Sequence, residues 1–241
     1  MSAPKPEADW LTARPFAHRG LHGAGVSENG MAAFAAAIAA GQGIECDVRA
    51  SRDGVAFVFH DADLGRMTGR EGAVEALDAA VLDGIRLPDG GPIPRLSALL
   101  ALCDGRVPLL IEMKARGTNV GPLCRAVAAD LAGWDGAPIA VMSFNPWAVR
   151  HGSVQRVGQL FGVILSRRGK GWLRGAIERR LALWIARPDF LACDICDLPS
   201  RLSARARRRG MPVLTWTVRS EAERARAAAH ADQIIHEMPH G

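Results

Sequence analysis

The stretch IECDVRASRDGVAFVFHD, residues 44–61, combines the composition of a buried strand with three residues that can do chemistry. Val, Ile and Phe are typical of strands, whereas Glu45, Asp47 and His60 are costly to bury unless each has a partner. Asp53-Gly54 separates two strand-like runs and leaves no room for a crossover helix, which predicts an antiparallel hairpin with a two-residue turn. In that register Asp47 lies opposite His60, and Glu45 shares the face of Asp47, so the three side chains converge.

A third carboxylate is predicted at the same place. Glu112 lies next to the end of the apolar run VPLLIEM, as Glu45 and Asp47 lie towards the end of GIECDV. Three carboxylates in one cleft repel one another, and a hard divalent cation cancels that repulsion. Oxygen ligands of this kind are those that Ca²⁺ and Mg²⁺ prefer, so the pattern predicts a site for one of these ions.

Positive and proton-carrying side chains occur at matching positions. Arg19 and Lys114 add positive charge beside the carboxylates, which suits a phosphate group. His18 and His60 can carry protons near neutral pH. Each residue also has a plainer interpretation as a hydrogen-bonded structural histidine, a solvated acid or half of an ion pair. Their joint placement at strand ends favours cleavage of a phosphate ester.

The elements that must position these residues alternate between short apolar runs and Ala-rich helices, which is typical of a parallel sheet. The helix within ENGMAAFAAAIAAG is predicted to begin after Asn29 as its cap and to end at Gly41. Nine strands are predicted, over residues 14–18, 43–48, 55–60, 107–113, 138–144, 160–166, 189–194, 212–218 and 232–237.

Leaving out the hairpin arm at 55–60 gives eight parallel strands, which predicts an α/β fold of the (β/α)₈ TIM-barrel type. Such barrels carry their chemistry at the C-terminal ends of the strands, where these polar residues fall. An open doubly wound sheet is the alternative, but the first strand lacks a Gly-rich phosphate fingerprint. We expect a single domain over residues 1–241, with residues 65–106 as a small insertion at the barrel mouth.

The net charge of +5 and the isoelectric point of about 9.3 favour anionic partners, although an Arg-rich genome composition explains most of this charge. The N-terminal MSAPKPEADW has no apolar core of a secretory signal, and no run is long enough to cross a bilayer. Five scattered cysteines indicate reduced thiols, and we therefore expect a cytoplasmic protein. RARRRG, residues 205–210, lacks interleaved aromatics, so nucleic-acid binding is not expected.

A basic amphipathic segment, SRRGKGWLRGAIERRLALWIARP, spans residues 166–188. Arginines such as Arg167 and Arg168 accompany Ile177, Leu181 and Trp184, which are spaced to share a helix face. An outer barrel helix that packs this stripe on the sheet is the favoured interpretation. The alternative is peripheral contact with an anionic membrane at the inner membrane surface.

The ordered motifs of the chain resemble those of the glycerophosphodiester phosphodiesterase family. They are AHRG, ENGMAAFAAAIAAGQGIECDV, RDGVAFVFHDADLGRMTG, IPRLSALLAL, LLIEMK, SF, VLTWTV and IIHEMP, between residues 16 and 239. The resemblance implies a TIM barrel with a small insertion, a small-molecule glycerophosphodiester as substrate, and release of glycerol 3-phosphate and an alcohol. It also implies the roles of the residues: metal ligands Glu45, Asp47 and Glu112, acid–base pair His18 and His60, and phosphate-binding Arg19 and Lys114.

The chain departs from the family pattern around the substrate. SENG replaces the usual PENT, Arg219 replaces an Asn, and His236-Glu237 replaces TD. Arg219 and His236 fall near strand ends, so these two changes concern the alcohol pocket, for which we expect Phe144, Trp216 and Arg219 as lining residues. Two alternatives remain open: a lysophospholipase D or phospholipase that cleaves membrane lipids, and a non-catalytic phosphate-binding barrel.

Overall fold

The computed structural model describes residues 8–155, 157–169 and 171–237. The predicted N-terminal segment without a signal therefore lies largely outside the described residues. Within them, nine strands occur where nine are predicted. They are β1 Phe16–His18, β2 Gly43–Ala50, β3 Ala56–Val58, β4 Leu109–Met113, β5 Ile139–Ser143, β6 Leu160–Leu165, β7 Phe190–Asp194, β8 Val213–Val218 and β9 Gln233–His236.

Eight of these strands form a closed parallel barrel. The order β1-β9-β8-β7-β6-β5-β4-β2 closes because β1 pairs in parallel with both β9 and β2. The remaining strand, β3, pairs antiparallel with β2 as the only named strand beside it in the described residues, and it extends from the barrel as an arm. The predicted (β/α)₈ barrel is confirmed, and so is the antiparallel hairpin.

The predicted register of this hairpin is wrong by one residue. Val48 faces Val58, and Phe59 N donates to Asp47 O at 2.9 Å, so Phe59 rather than His60 lies opposite Asp47. The loop has three residues instead of two, because Ser51 N bonds to Val55 O across it. Gly54, with a φ of +86°, supplies the left-handed residue that a three-residue hairpin loop requires. His60 reaches the barrel mouth because the strand has already ended at Val58.

Helices connect the strands around the outside of the barrel. In the described residues they are α1 Asp9–Thr12, α2 Met31–Ala39, α3 Gly65–Thr68, α4 Ala79–Leu82, α5 Leu96–Cys103, α6 Gly121–Leu131, α7 Pro146–Gln155, α8 Trp172–Ala186, α9 Arg201–Arg208 and α10 Glu221–His230. None of these helices has the length and apolar content to span a membrane.

Of the two caps predicted for α2, the N-terminal one is wrong and the C-terminal one is confirmed. Asn29 is not the N-cap, since Gly30 holds that position without a side-chain bond and Asn29 has a φ of +55°. Asn29 instead bonds to Asp47, as described below. At the other end Gly41, with a φ of +65°, ends the helix as predicted. Gly41 N donates to Ile38 O and Gln42 N to Ala37 O, the bond pair of a Schellman motif.

Three apolar clusters hold these elements together. The largest fills the layer between barrel and helices, and a second fills the barrel interior around Phe16, Leu110 and Phe190. The third cluster lies under the short elements that follow β3, around Phe57 and Phe59. The predicted limits of the insertion, 65–106, stay a prediction, and the last element within them, α5, packs into the largest cluster.

Candidate active site

The barrel register brings the predicted site residues together, with His18 at the end of β1, Glu45 and Asp47 within β2, and Glu112 next to the end of β4. His18 lies beside Glu45 on adjacent strands, and Asp47 lies beside Glu112. Carboxylate oxygens of Glu45, Asp47 and Glu112 all lie within 4.8 Å of one another, and all three residues are buried. The site therefore concentrates negative charge where water cannot screen it.

The pKa values of the three carboxyl groups reflect this crowding. Burial and the charges of Asp47 and Glu112 raise the pKa of Glu45 well above its usual range. Burial and Asp47 likewise raise the pKa of Glu112 to about 7. Burial also opposes ionisation of Asp47, but Lys114 and Arg19 outweigh it and lower the pKa of that residue. Asp47 is thus the carboxylate that stays ionised, whereas Glu45 and Glu112 keep their protons to higher pH.

An oxygen atom of Asp47 is available for a cation. Asp47 Oδ1 is buried and, among the described residues, accepts no hydrogen bond, although Lys114 Nζ lies 3.4 Å away. Its other oxygen, Oδ2, accepts a hydrogen bond from Asn29 Nδ2 at 2.9 Å. A buried acceptor without a donor is costly, and a bound cation would satisfy it. The donor set of three carboxylates suits a hard divalent ion.

Arg19 and Lys114 lie on two sides of the carboxylates. Arg19 Nε is 3.1 Å from Asp47 Oδ2, and Arg19 Nη1 donates to Glu28 Oε1 at 2.9 Å. Lys114 Nζ donates to Glu112 Oε1 at 2.7 Å. A cavity lies at the centre of this site, and both Arg19 and Lys114 line it. Each of the two side chains is therefore held by acids on one side and faces the cavity on the other.

Each predicted histidine is held by a carboxylate that also holds an arginine. His18 Nδ1 and Glu237 Oε1 form a short hydrogen bond, and Arg219 Nε donates to Glu237 Oε2 at 2.6 Å. His60 Nδ1 lies 2.6 Å from Asp61 Oδ1. Arg66 Nε donates to Asp61 Oδ2 at 2.5 Å.

We call these two sets the His18 triad (His18, Glu237, Arg219) and the His60 triad (His60, Asp61, Arg66). Burial opposes ionisation of Glu237, but its bonds to His18 and Arg219 lower its pKa to about 2. Burial, with Lys114 and Arg19, lowers the pKa of His60, against the opposite effect of Asp47 and Asp61. Both histidines line the central cavity.

Glu28 and Asn29 support the site from the loop before α2. Glu28 Oε1 accepts from Arg19 and from Arg66 Nη2 at 2.5 Å, which connects Arg19 to the His60 triad. Asn29 donates to Asp47 and accepts from its backbone N–H at 3.2 Å. The sequence analysis assigned no site role to either residue. The available signal was that SENG keeps the Glu and Asn of the usual PENT, although the residues on both sides of them differ.

The cavity between the triads has a volume of about 120 Å³ and an aromatic edge. The rings of Phe144 and Trp216 meet edge to face with centroids 5.4 Å apart, and Lys114 Nζ lies 5.9 Å from the centre of the Phe144 ring. Arg219 lines the cavity as expected. Arg168 also lines the cavity. The sequence did not predict this position, because Arg168 was assigned to the basic amphipathic segment, residues 166–188. Its guanidinium pairs with the buried Asp194 at 2.8 Å.

The structure thus brings all ten predicted site residues to one end of the barrel. Nine line the cavity, and Asp47 lies behind them in contact with Arg19 and Lys114. Asp61 and Glu237 were missed as partners of the histidines. Asp61 had a local signal because it follows His60 directly, whereas Glu237 is separated from His18 by 219 positions.

Comparisons with known proteins agree with this geometry. The model of the glycerophosphoryl diester phosphodiesterase family matches residues 18–237. A probable glycerophosphodiester phosphodiesterase 2 of Mycobacterium tuberculosis is 34% identical over 206 residues, which cover 83% of this chain and 71% of that protein.

Among solved structures, two share the fold with a TM-score of 0.80. A phosphodiesterase of Oleispira antarctica, solved with the product sn-glycerol-3-phosphate, is 21% identical and covers 94% of both chains. A putative glycerophosphoryl diester phosphodiesterase of Silicibacter pomeroyi is 25% identical, covering 94% of this chain and 90% of that one. The match of the family model to nearly the whole barrel, together with the mycobacterial relative, shows that the chain belongs to the glycerophosphoryl diester phosphodiesterase family and is a phosphoric diester hydrolase.

Proposed function

We propose that this protein hydrolyses small glycerophosphodiesters to glycerol 3-phosphate and an alcohol, with Ca²⁺ or Mg²⁺ bound and His18 and His60 as its acid–base pair. The observation that carries the proposal is the cavity geometry, in which two carboxylate-held histidines and two cations surround a cluster of three buried carboxylates. The complex of the Oleispira relative with sn-glycerol-3-phosphate supports the identity of the product.

Glu45, Asp47 and Glu112 are the residues that would hold the cation. The available Oδ1 of Asp47 and the raised pKa values of its two neighbours both fit a cation between these carboxylates. When bound, a divalent ion polarises a phosphoryl oxygen and offsets the charge that builds up during displacement at phosphorus. The choice between Ca²⁺ and Mg²⁺ is left to the experiment below.

The histidines move protons at the two ends of the reaction. A carboxylate holds Nδ1 of each ring, so Nε2 is the atom that each presents to a reacting group. One histidine accepts the proton of the attacking hydroxyl, either of water or of the glycerol 2-position, and the other donates a proton to the departing alkoxide. Both assignments of the two roles fit this geometry.

Arg19 and Lys114 bind the phosphoryl oxygens, because both face the cavity beside the carboxylates. Phe144, Trp216 and Arg219 form the wall for the alcohol, and Arg168 adds a further cation to it. The presence of both histidines and all three carboxylates argues against a non-catalytic phosphate-binding barrel. A cytoplasmic location is part of the proposal, supported by five free cysteines, four of them buried.

The test is release of glycerol 3-phosphate from glycerophosphoglycerol and glycerophosphoethanolamine, with Ca²⁺ or Mg²⁺ and then with EDTA. We expect activity that chelation abolishes and that His18→Ala and Glu45→Ala both lack. Titration calorimetry with each ion gives a second readout, and Glu45→Ala should weaken ion binding. A folded wild-type protein that releases no glycerol 3-phosphate with either ion would exclude the proposed reaction.

A further inference from the structure

The active-site cavity has two sides, which come from opposite parts of the barrel. On one side His18 lies in β1, Glu45 lies in β2, and Lys114 follows β4 directly. On the other side Arg168 lies in the loop after β6, and Arg219 follows β8 directly. The closed strand order places β6, β7 and β8 across the barrel from β1, β2 and β4. The group that leaves the phosphate therefore faces Arg168 and Arg219.

The two sides differ in the charges that they present to the cavity. The side of β1, β2 and β4 combines acids with cations, as described above. On the opposite side the charged lining residues are Arg168 and Arg219, and no Asp or Glu of the described residues lines the cavity there. The carboxylates that hold these arginines, Asp194 and Glu237, are not part of the lining. This side of the cavity is therefore positively charged.

A buried acid fixes Arg168 in position. Arg168 Nε is 2.8 Å from Oδ2 of Asp194, which ends β7 and is fully buried. Asp194 also accepts hydrogen bonds from Ser166 Oγ at 2.9 Å and from Cys196 N at 3.0 Å. The Arg168 side chain nevertheless remains 62% exposed. Because a guanidinium has five N–H groups, Arg168 can hold Asp194 and still donate to an anion in the cavity.

Arg219 is fixed in the same manner. Its Nε donates to Glu237 Oε2 at 2.6 Å, and its backbone N–H donates to Glu223 Oε2 at 2.7 Å. The Arg219 side chain is 53% exposed, so its terminal nitrogens can also reach a ligand. Arginines that are held in place before a ligand arrives lose less conformational entropy on binding. The two guanidinium groups are thus prepared to bind an anion.

The aromatic edge of the cavity offers the alternative of a cationic alcohol, since aromatic faces bind quaternary ammonium groups. Phe144 and Trp216 form this edge, but Lys114 Nζ already lies 5.9 Å from the centre of the Phe144 ring. Arg168 and Arg219 would repel a second cation placed there. The other side of Phe144 borders an apolar groove, so the ring separates that surface from the charged side of the cavity.

The structure also separates Arg168 from the rest of the basic amphipathic segment, residues 166–188. Helix α8 packs Ala182 and Leu183 against the main core, as expected of an outer barrel helix. Arg167 Nε donates to Asp197 Oδ1 at 3.0 Å, and Arg167 does not line the cavity. Lys170 lies outside the described residues. Arg168 therefore belongs to the cavity, and Arg167 is a neighbouring arginine outside it.

We propose that the enzyme prefers glycerophosphodiesters whose alcohol carries a carboxylate or a phosphate group, which Arg168 and Arg219 bind. This inference rests on the proposed function, since the same histidines and carboxylates cleave the ester. The anionic group lies beyond the oxygen that leaves phosphorus, so it departs with the alcohol. Water supplies the new P–O bond, and the alcohol leaves with a proton. The products are glycerol 3-phosphate and an anionic alcohol.

The experiment uses two pairs of substrates. Glycerophosphoserine and glycerophosphoethanolamine differ only in a carboxylate, and glycerophosphoglycerol and its terminal phosphate ester differ only in a phosphate. We expect kcat/KM to be about tenfold higher for the anionic member, as for hydrogen bonds to charged groups. The preference should decrease with added NaCl, because both arginines are partly exposed. Loss of the diester signal in ³¹P NMR measures all four reactions at a fixed concentration of free divalent ion.

Matched variants locate the preference. Arg168→Gln and Arg219→Gln should each reduce the ratio of the two kcat/KM values severalfold. The ratio is the readout, because Arg219 also holds Glu237 and its loss changes the rates for both substrates. Arg167→Gln is the control, since Arg167 is 50% exposed and lies outside the cavity, and it should keep the wild-type ratio. Thermal unfolding checks that each variant is folded.

The possible outcomes are distinct. A preference in one pair alone would identify the bound group as carboxylate or as phosphate. Equal kcat/KM within both pairs overturns the inference, and so does a ratio that is unchanged in both Arg168→Gln and Arg219→Gln or that falls equally in Arg167→Gln. Faster cleavage of glycerophosphocholine than of glycerophosphoserine also overturns it, in favour of cation binding at Phe144 and Trp216. Failure to cleave any of these diesters would refute the proposed function and this inference with it.

Discussion

The two histidines of the site have the same kinds of partner, a carboxylate that also bonds an arginine, but these partners come from different distances along the chain. In the His60 triad all three residues lie within seven positions, at the end of the hairpin arm. The His18 triad joins the ends of β1, β8 and β9, with Glu237 separated from His18 by 219 positions. In both, one carboxylate bonds a histidine Nδ1 through one oxygen and an arginine Nε through the other.

The difference lies in burial and support. The His18 side chain is 11% exposed, compared with 30% for His60. Glu28 connects Arg66 to Arg19, so the His60 triad is coupled to the arginine that we propose for phosphate binding, whereas Arg219 belongs to the expected alcohol wall. A local segment thus holds the more exposed histidine, and closure of the barrel holds the more buried one.

The largest expected effect comes from removing either histidine. We expect His18→Ala and His60→Ala each to lower kcat by about 10²- to 10⁴-fold, the contribution of a positioned acid or base. Glycerol 3-phosphate release at saturating substrate measures it. If one variant kept a tenth of the wild-type kcat, the two triads would not be an acid–base pair.

Replacing each supporting carboxylate by its amide should lower kcat to different extents in the two triads. We expect Glu237→Gln to lower kcat by about 10- to 100-fold, and Asp61→Asn by less, because water can replace a partner more readily at the more exposed His60. Both should shift the pH–rate profile, which a purely structural change would not. Glu221→Gln, at a 79% exposed side chain, is the control. Equal losses in the two variants would show that burial does not distinguish the triads.

The hydrogen bonds that Asn29 makes to Asp47 can be removed without straining the backbone. Asn29 has a φ of +55°, so Asn29→Gly deletes its amide and keeps the conformation. We expect Mg²⁺ or Ca²⁺ affinity to fall by about 10- to 100-fold, as for other supports of ligands, measured by titration calorimetry. Asp104→Gly, at another left-handed position (φ +45°) after α5, should bind the ion normally. Unchanged affinity in Asn29→Gly would argue against Asp47 as a ligand.

The smallest expected effect is a change of thermal stability with pH. Glu112 has a pKa of about 7 when folded and an ordinary value of 4.5, so between these values the folded protein holds a proton that the unfolded chain has lost. Its contribution to stability is therefore present below about pH 4.5 and is lost as pH rises through about 7. In EDTA, we expect the Tm of wild type to decrease relative to that of Glu112→Gln from pH 5 to pH 8.

Comparing wild type with this variant cancels the contribution of His60, whose lowered pKa acts in the opposite sense. Added Ca²⁺ or Mg²⁺ should raise the wild-type Tm more at pH 8 than at pH 5, because the carboxylates are then ionised. Parallel calorimetric curves for the two proteins would show that Glu112 does not titrate in this range.

The fold and the clustering of the three carboxylates were predictable because they depend on strand patterns that can be read locally. Apolar runs separated by helices predict nine strands, and Asp53-Gly54 identifies β3 as an antiparallel arm. The hairpin register was not predictable, because this sequence is compatible with both a two-residue and a three-residue loop. The hydrogen bond from Ser51 N to Val55 O shows that the three-residue loop forms. Asn29 was assigned to a helix cap by its local context, but packing gives it Asp47 as a partner.

The sequence by itself determined the barrel, the strands that carry the carboxylates, and the residue types that would bind phosphate and move protons. Strand period and turn chemistry act over a few residues, so they can be read directly. Only the tertiary structure decided that Glu237 holds His18, that Arg168 faces the cavity, and that an apolar groove adjoins Phe144. These contacts depend on strand register and on how the barrel closes, which bring together side chains that no local pattern relates.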